Sequence, residues 1–202
     1  MRRTIPAQSS MQDIPQMAGH PVGDRAARQR FISRSMWLTL PGTPLVVWAL
    51  YRLLPPLPGM ETLAERLGLT TRWLFVAMLP YVAVCLTIVA RRFFEGAHDP
   101  LAGGESEALR IHARVMDNTL EQFIWLAVCV MALATMLDAA QMRLVPIVCG
   151  SFVFARLVYW WGYLRAGTLG RAPGVQMTFA LNVPLLVLVA VLLVRSLLAG
   201  RA

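Results

Sequence analysis

Four long apolar runs dominate the chain: Trp73 to Ala90, Thr119 to Leu137, Leu144 to Leu164 and Val175 to Leu198. Each is close to the ~20 residues a helix needs to cross the hydrocarbon core of a bilayer, so each predicts a transmembrane helix. A fifth run, Met36 to Leu54, is interrupted by Pro41, Gly42 and Pro44 and closed by Arg52, a pattern that suits either a spanning or a re-entrant segment. Pro55, Pro56 and Pro58 then predict a stiff turn, and Glu61 to Leu67 reads as a short amphipathic piece at the membrane surface. The stretch His98 to Glu107, rich in Gly, Pro and acid, ends where Ala108 begins a helix that enters the membrane around Asn118.

Ahead of these runs, residues 1–35 are polar and carry six arginines, which predicts a disordered basic tail. Thr4 to Asp13 is polar where a secretory signal would be apolar, so no cleaved peptide is expected. The expected fold is an all-α integral membrane protein: a four-helix transmembrane bundle over residues 72–198, with one additional transmembrane or re-entrant segment and its external loop over residues 36–71.

Composition sharpens this picture. The 202 residues are 57% hydrophobic and 15% charged, with a mean hydropathy of +0.56, outside the range of ordinary soluble domains. All 19 basic residues are arginine, so the net charge of +8 rests on groups that never deprotonate and favours anionic headgroups or anionic ligands. Nucleic acid is excluded as a partner, because the arginines sit at the ends of apolar runs and form no basic face with interleaved aromatics. Cys85, Cys129 and Cys149 each lie inside an apolar run, as packing residues do, and imply neither disulfide nor metal.

The arginines also orient the chain. With a cytoplasmic N-terminus and five spans, the inside segments hold twelve arginines (Arg2, Arg3, Arg25, Arg28, Arg30, Arg34, Arg91, Arg92, Arg110, Arg114, Arg165 and Arg171). The outside segments hold six, and Arg156 lies within the membrane. The arginine-only basic set suggests a GC-rich bacterial genome and hence an inner membrane, with a eukaryotic endoplasmic reticulum membrane as the alternative.

Charge in hydrocarbon is costly unless it is paired, wet or ligand-bound, so intramembrane polar residues are the functional candidates. Arg114, Asn118 and Glu121 fall at i, i+4 and i+7 and share one helix face, which Trp125 continues. Arg156, Tyr159 and Tyr163 share a face of the next long helix, which Phe152 extends. Glu121 lies about 10 Å beyond Arg114 along one helix and Arg156 about 13 Å before Arg165 along its antiparallel neighbour, so their depths match. Glu121 and Arg156 are therefore expected to meet, in one chain or across a subunit interface, with the tyrosine hydroxyls completing a polar pocket that opens to the cytoplasm. The same groups could equally serve only to register helices.

The run Arg114-Val-Met-Asp-Asn118-Thr-Leu-Glu121, and after a short turn Arg156-Leu-Val-Tyr159-Trp-Trp-Gly-Tyr163-Leu-Arg165, resembles the MAPEG family, the membrane-associated proteins of eicosanoid and glutathione metabolism. The resemblance covers residues 72–198 and implies a four-helix protomer, a homotrimer, and glutathione bound as co-substrate between subunits near the cytoplasmic face. It further implies that Arg91 or Arg92, Arg114, Asn118, Glu121, Arg156, Tyr159 and Tyr163 contact glutathione, with Arg171 at the sulfur and Tyr163 as the alternative donor. Ala172 follows Arg171 where the prostaglandin synthases have serine, so transferase or peroxidase chemistry on a lipophilic small molecule is implied in place of that isomerisation. Guanidinium forks suit the two carboxylates of glutathione, an acid suits its ammonium, and a cation at sulfur raises the thiolate fraction. A non-catalytic membrane scaffold is the alternative reading.

Other features carry less. His98, Asp99 and His112 match no metal-ligand spacing, and Gly103-Gly104 lacks the lysine of a phosphate loop.

Overall fold

Hydrocarbon offers no hydrogen-bond partners, so a chain with long apolar runs must satisfy its backbone within each segment, and helices do this. The computed structural model describes residues 22–96 and 105–200. These form helices α1 (Val22–Leu53), α2 (Leu63–Glu95), α3 (Glu107–Met136), α4 (Leu144–Gly170) and α5 (Ala172–Leu198), with a 3-10 turn at Ala139–Gln141. The stretches Leu63–Glu95, Glu107–Met136, Ala139–Gly170 and Ala172–Leu198 are long and apolar enough to cross a membrane. The chain is a multi-pass membrane protein.

Local chemistry sets the helix ends. The Thr62 hydroxyl oxygen accepts from the Glu65 amide at 3.3 Å while the Glu65 carboxylate accepts from the Thr62 amide at 2.8 Å, a capping box that starts α2 at Leu63. Glu61 to Leu67 is therefore not a separate surface piece: its helical residues are the first turns of α2, and Gly68 alone is too weak a breaker to stop them. α2 ends at Gly96, whose φ of +69° is a left-handed cap. Ser106 opens α3 by accepting from the Leu109 amide at 3.2 Å.

α1 departs further from expectation. It begins at Val22, inside the stretch expected to be a disordered tail, and runs unbroken through Pro41 and Pro44. Each proline leaves a carbonyl of the preceding turn without its helical donor, and side-chain bonds to α5 tie this half of α1 to the bundle. Thr39 Oγ1 donates to Gln176 Oε1 at 2.8 Å, and Gln176 Nε2 donates to the Ile32 carbonyl at 3.3 Å. At the other end of the bundle, Arg143 Nη1 donates to the Leu54 carbonyl at 2.6 Å. α1 thus runs parallel to α5 from one end of the bundle to the other, without turning back.

The core has two regions. Where α3 ends and α4 begins, Leu126, Val130, Leu133, Val148, Phe152 and Leu181 form an apolar cluster. Where α2 leads towards α3 and α4 turns into α5, a smaller cluster of Val84, Ile88, Leu109, Val115, Tyr159 and Tyr163 is laced with buried polar groups. The α4–α5 turn lies at this polar end. Its backbone leaves helical geometry at Ala166 and Gly167, the latter at φ +55°, which favours glycine. Gly162 and Gly170 are so close that a Cβ on either would strike the carbonyl of the other, and a Cβ on Gly174 would strike the Tyr159 backbone. This close approach lays the first turn of α5 on α4.

Candidate functional site

The polar end is built around Arg156, which is 1% exposed. Its Nε and Nη2 donate to Thr119 Oγ1 at 3.2 and 3.0 Å, Nη2 donates to Asn118 Oδ1 at 3.0 Å, and Nη1 reaches Thr178 Oγ1 at 3.4 Å. The guanidinium carbon lies 4.0 Å from the centre of the Tyr159 ring, a cation–π contact strengthened by burial. Tyr159 meets Tyr163 edge-on at 6.0 Å, and Arg171 stands 5.1 Å from the Tyr163 ring centre. α4 supplies Arg156, Tyr159 and Tyr163 from one buried face, α3 supplies Asn118 and Thr119, and the folded-back start of α5 supplies Arg171 and Thr178.

Glu121 does not pair with Arg156 within the chain. Glu121 is exposed, and the Arg156 donors are taken by the neutral oxygens of Asn118, Thr119 and Thr178. Seven residues at 3.6 per turn bring Glu121 almost back to the direction of Arg114, which is also exposed, and the inward place goes to Gln122. The buried face of α3 runs through His112, Val115, Thr119, Gln122 and Leu126, and only half-buried Asn118 links it to the predicted face. Arg114, Asp117 and Glu121 therefore form a charged stripe on the outside of α3, and Trp125 continues it with 43% exposure, edge-on to Phe179 at 6.2 Å.

Arg91 and Arg92 end α2 beside this region but are engaged by acids. Arg91 Nη1 lies 3.1 Å from Glu95 Oε1, and Arg92 Nη2 lies 2.9 Å from Glu105 Oε1. His98 and Asp99 lie outside the described residues, and among the described residues no three His, Cys, Asp or Glu side chains are grouped to hold a metal ion. His112 is 2% exposed, and its Nδ1 accepts from the Trp160 indole at 3.0 Å. That bond puts the imidazole proton on Nε2, which has no partner.

Sequence reasoning overlooked Thr119, Gln122, Thr178 and Asn182, although all are buried within α3 or α5 and bonded. Asn182 Nδ2 donates to the Gln122 carbonyl at 3.0 Å and to Gln122 Oε1 at 3.1 Å, joining α5 to α3. Their signal was available: neutral polar residues inside apolar runs at helical spacing, hidden by the more conspicuous charges nearby.

Chemically, the arrangement presents a buried cation with no acid paired to it among the described residues, two aromatic hydroxyls beside it, a second arginine at the turn, and charges on the neighbouring outer face. Such a set can receive an anionic or zwitterionic ligand, and can equally lock α3, α4 and α5 together.

Residues 70–191, more than half of the chain, match the sequence profile of the MAPEG family. Among curated proteins the chain is similar to transmembrane protein 79 of Mus musculus, at 27% identity over 137 residues that cover 67% of this chain and 34% of that one. The chain thus spans about a third of the length of this relative. No solved structure matches significantly. α1 lies entirely outside the matched stretch.

Proposed function

The chain belongs to the MAPEG family, and we propose that it is a membrane-bound glutathione transferase or peroxidase whose site is shared between the subunits of a homotrimer and opens to the cytoplasm. The observation that carries this reading is the stripe of Arg114, Asp117 and Glu121, exposed on one face of a helix apolar enough to cross the membrane. Glu121 lies beyond the point where the helix enters the membrane, where a charge is costly against lipid unless a neighbouring subunit or a charged ligand covers it. Glutathione has complementary groups: Glu121 suits its ammonium, Arg114 a carboxylate, and Asn118 ties the outer face to buried Arg156. Arg171, beside Tyr163 at the turn, is the first candidate to stabilise the thiolate, with the Tyr163 hydroxyl second. The thiolate attacks an electrophilic carbon arriving from the bilayer, forming a thioether as the displaced group leaves with the electron pair. In the same reading α1 crosses as a fifth helix from a cytoplasmic N-terminus, in a bacterial inner membrane.

Calorimetric titration of glutathione into the assembled, detergent-solubilised protein tests the site. Arg114→Ala or Glu121→Gln is expected to weaken binding by about tenfold or more, the equivalent of losing ~1.4 kcal/mol. Arg171→Ala is expected to keep binding while losing the ultraviolet absorbance of the bound thiolate. Binding that survives the combined loss of Arg114 and Glu121 sinks the assignment.

A second reading, a non-catalytic scaffold, is favoured by one observation: Arg91 and Arg92 are already paired with acids and Arg156 is bonded within the chain, so the cluster closes without a ligand. It predicts no glutathione binding at millimolar concentration in assembled protein, and weaker assembly in Glu121→Gln.

A further inference from the structure

A cleft of about 830 Å³ opens between α1, which the family match leaves uncovered, and the first half of α4. Its size lies within the range of small-molecule pockets. Leu38, Val46 and Leu50 of α1 face Ile147 and Phe154 of α4 across it. Gly42 and Gly150 also line it, and a Cβ added to either would meet nothing within 4 Å, so both glycines look onto open space. α1 is tied to the bundle at its middle, by Thr39 to Gln176, and just past its end, by Arg143 to the Leu54 carbonyl, and the cleft lies along the stretch between these ties. From Arg143 to Phe154 it follows three turns of α4, a length of about 17 Å.

One end carries a cation. Arg143 caps the start of α4 and lines the cleft, with its guanidinium 4.2 Å from the Tyr51 ring centre. Its Nη1 is given to the Leu54 carbonyl, its Nε is buried without a partner, and among the described residues no acid is ion-paired with it. An apolar trough with an unneutralised guanidinium where α4 enters the membrane matches a molecule with one acyl chain and one anionic head. We propose that this cleft binds a long-chain fatty acid, its carboxylate on Arg143 and its chain lying over Gly42 and Gly150. A guanidinium donates charge-assisted hydrogen bonds to a carboxylate, which an alcohol of the same length cannot reproduce.

The test uses the full chain in phosphatidylcholine nanodiscs and a long-chain fatty acid carrying a photoactivatable diazirine in its chain. Crosslinks are expected on α1 and α4 around Gly42 and Gly150, with palmitate competing at least about tenfold better than hexadecanol, a difference of ~1.4 kcal/mol. Gly150→Leu, which fills the cleft from a position with room for it, is expected to abolish labelling while leaving the melting temperature unchanged. Arg143→Gln is expected to retain labelling but lose the preference for acid over alcohol. Equal competition by hexadecanol in the wild type would identify the cleft as a generic lipid contact and overturn the proposal. So would labelling that persists in Gly150→Leu, or a change of oligomer size in that variant, which would mark the cleft as a contact with a second copy.

Discussion

Between Leu126 and Leu137, α3 buries leucine, valine, cysteine and alanine against Val145, Cys149 and Phe152 of α4; between Leu109 and Gln122, the same helix buries His112, Thr119 and Gln122 against Arg156, Tyr159 and Asn182. Both ends bury their side chains, yet different forces hold them. In a bilayer, apolar side chains gain little by leaving lipid for one another, so the apolar end depends on shape complementarity and dispersion. The polar end depends on hydrogen bonds that are expensive to leave unmade, because hydrocarbon supplies no substitute partner. A chemical site can be built only there, where buried donors and a charge are already oriented by neighbours.

This contrast can be broken from either side. Asn118→Leu combined with Thr119→Val strips Arg156 of three of its four side-chain hydrogen bonds and leaves a buried cation uncompensated. Equilibrium unfolding in mixed detergent should show a loss of about 3–5 kcal/mol, and Arg156→Met, which removes the charge and keeps most of the volume, should lose much less. Leu133→Ala, at a site 1% exposed in the apolar end, should lose about 3 kcal/mol through the cavity it leaves. A Leu133→Ala loss larger than that of the double variant would show that packing, and not polar satisfaction, dominates the whole bundle. Gly174→Ala, whose Cβ would strike the Tyr159 backbone, should cost about 2 kcal/mol as a lower thermal midpoint and should displace α5 together with Arg171. The smallest effect is expected for Asn182→Ala, about 0.6 kcal/mol, since single interhelical hydrogen bonds in membranes are modest. A much larger value would make the Asn182–Gln122 bond the main clasp between α3 and α5.

Much of the polar end is legible in the sequence. Phe152, Arg156, Tyr159 and Tyr163 share one face by period alone, and the structure buries that face as a unit. The core-facing side of α3 is harder to read, because the period alone does not say whether the face of Arg114 and Glu121 turns to its own bundle or away from it. Helix rotation turns those two outward and presents Thr119 and Gln122 to the core. Pro41 and Pro44 likewise suggested a break in α1, where contacts with α5 carry the helix through. The glycine turn after Tyr163 had no visible purpose in one dimension. Its role is the close approach of Gly162 to Gly170 and of Gly174 to Tyr159.

Sequence alone determined that the protein lies in a membrane, where its four apolar helices fall, and which connections share an end, because crossing hydrocarbon demands about twenty apolar residues and penalises every charge left inside. Tertiary structure alone decided which oxygens satisfy Arg156, which face of α3 is inside, and that a cleft remains beside α1. The partners of Arg156 lie 22 to 38 residues away along the chain, and the rotation that presents them is set by how whole helices pack.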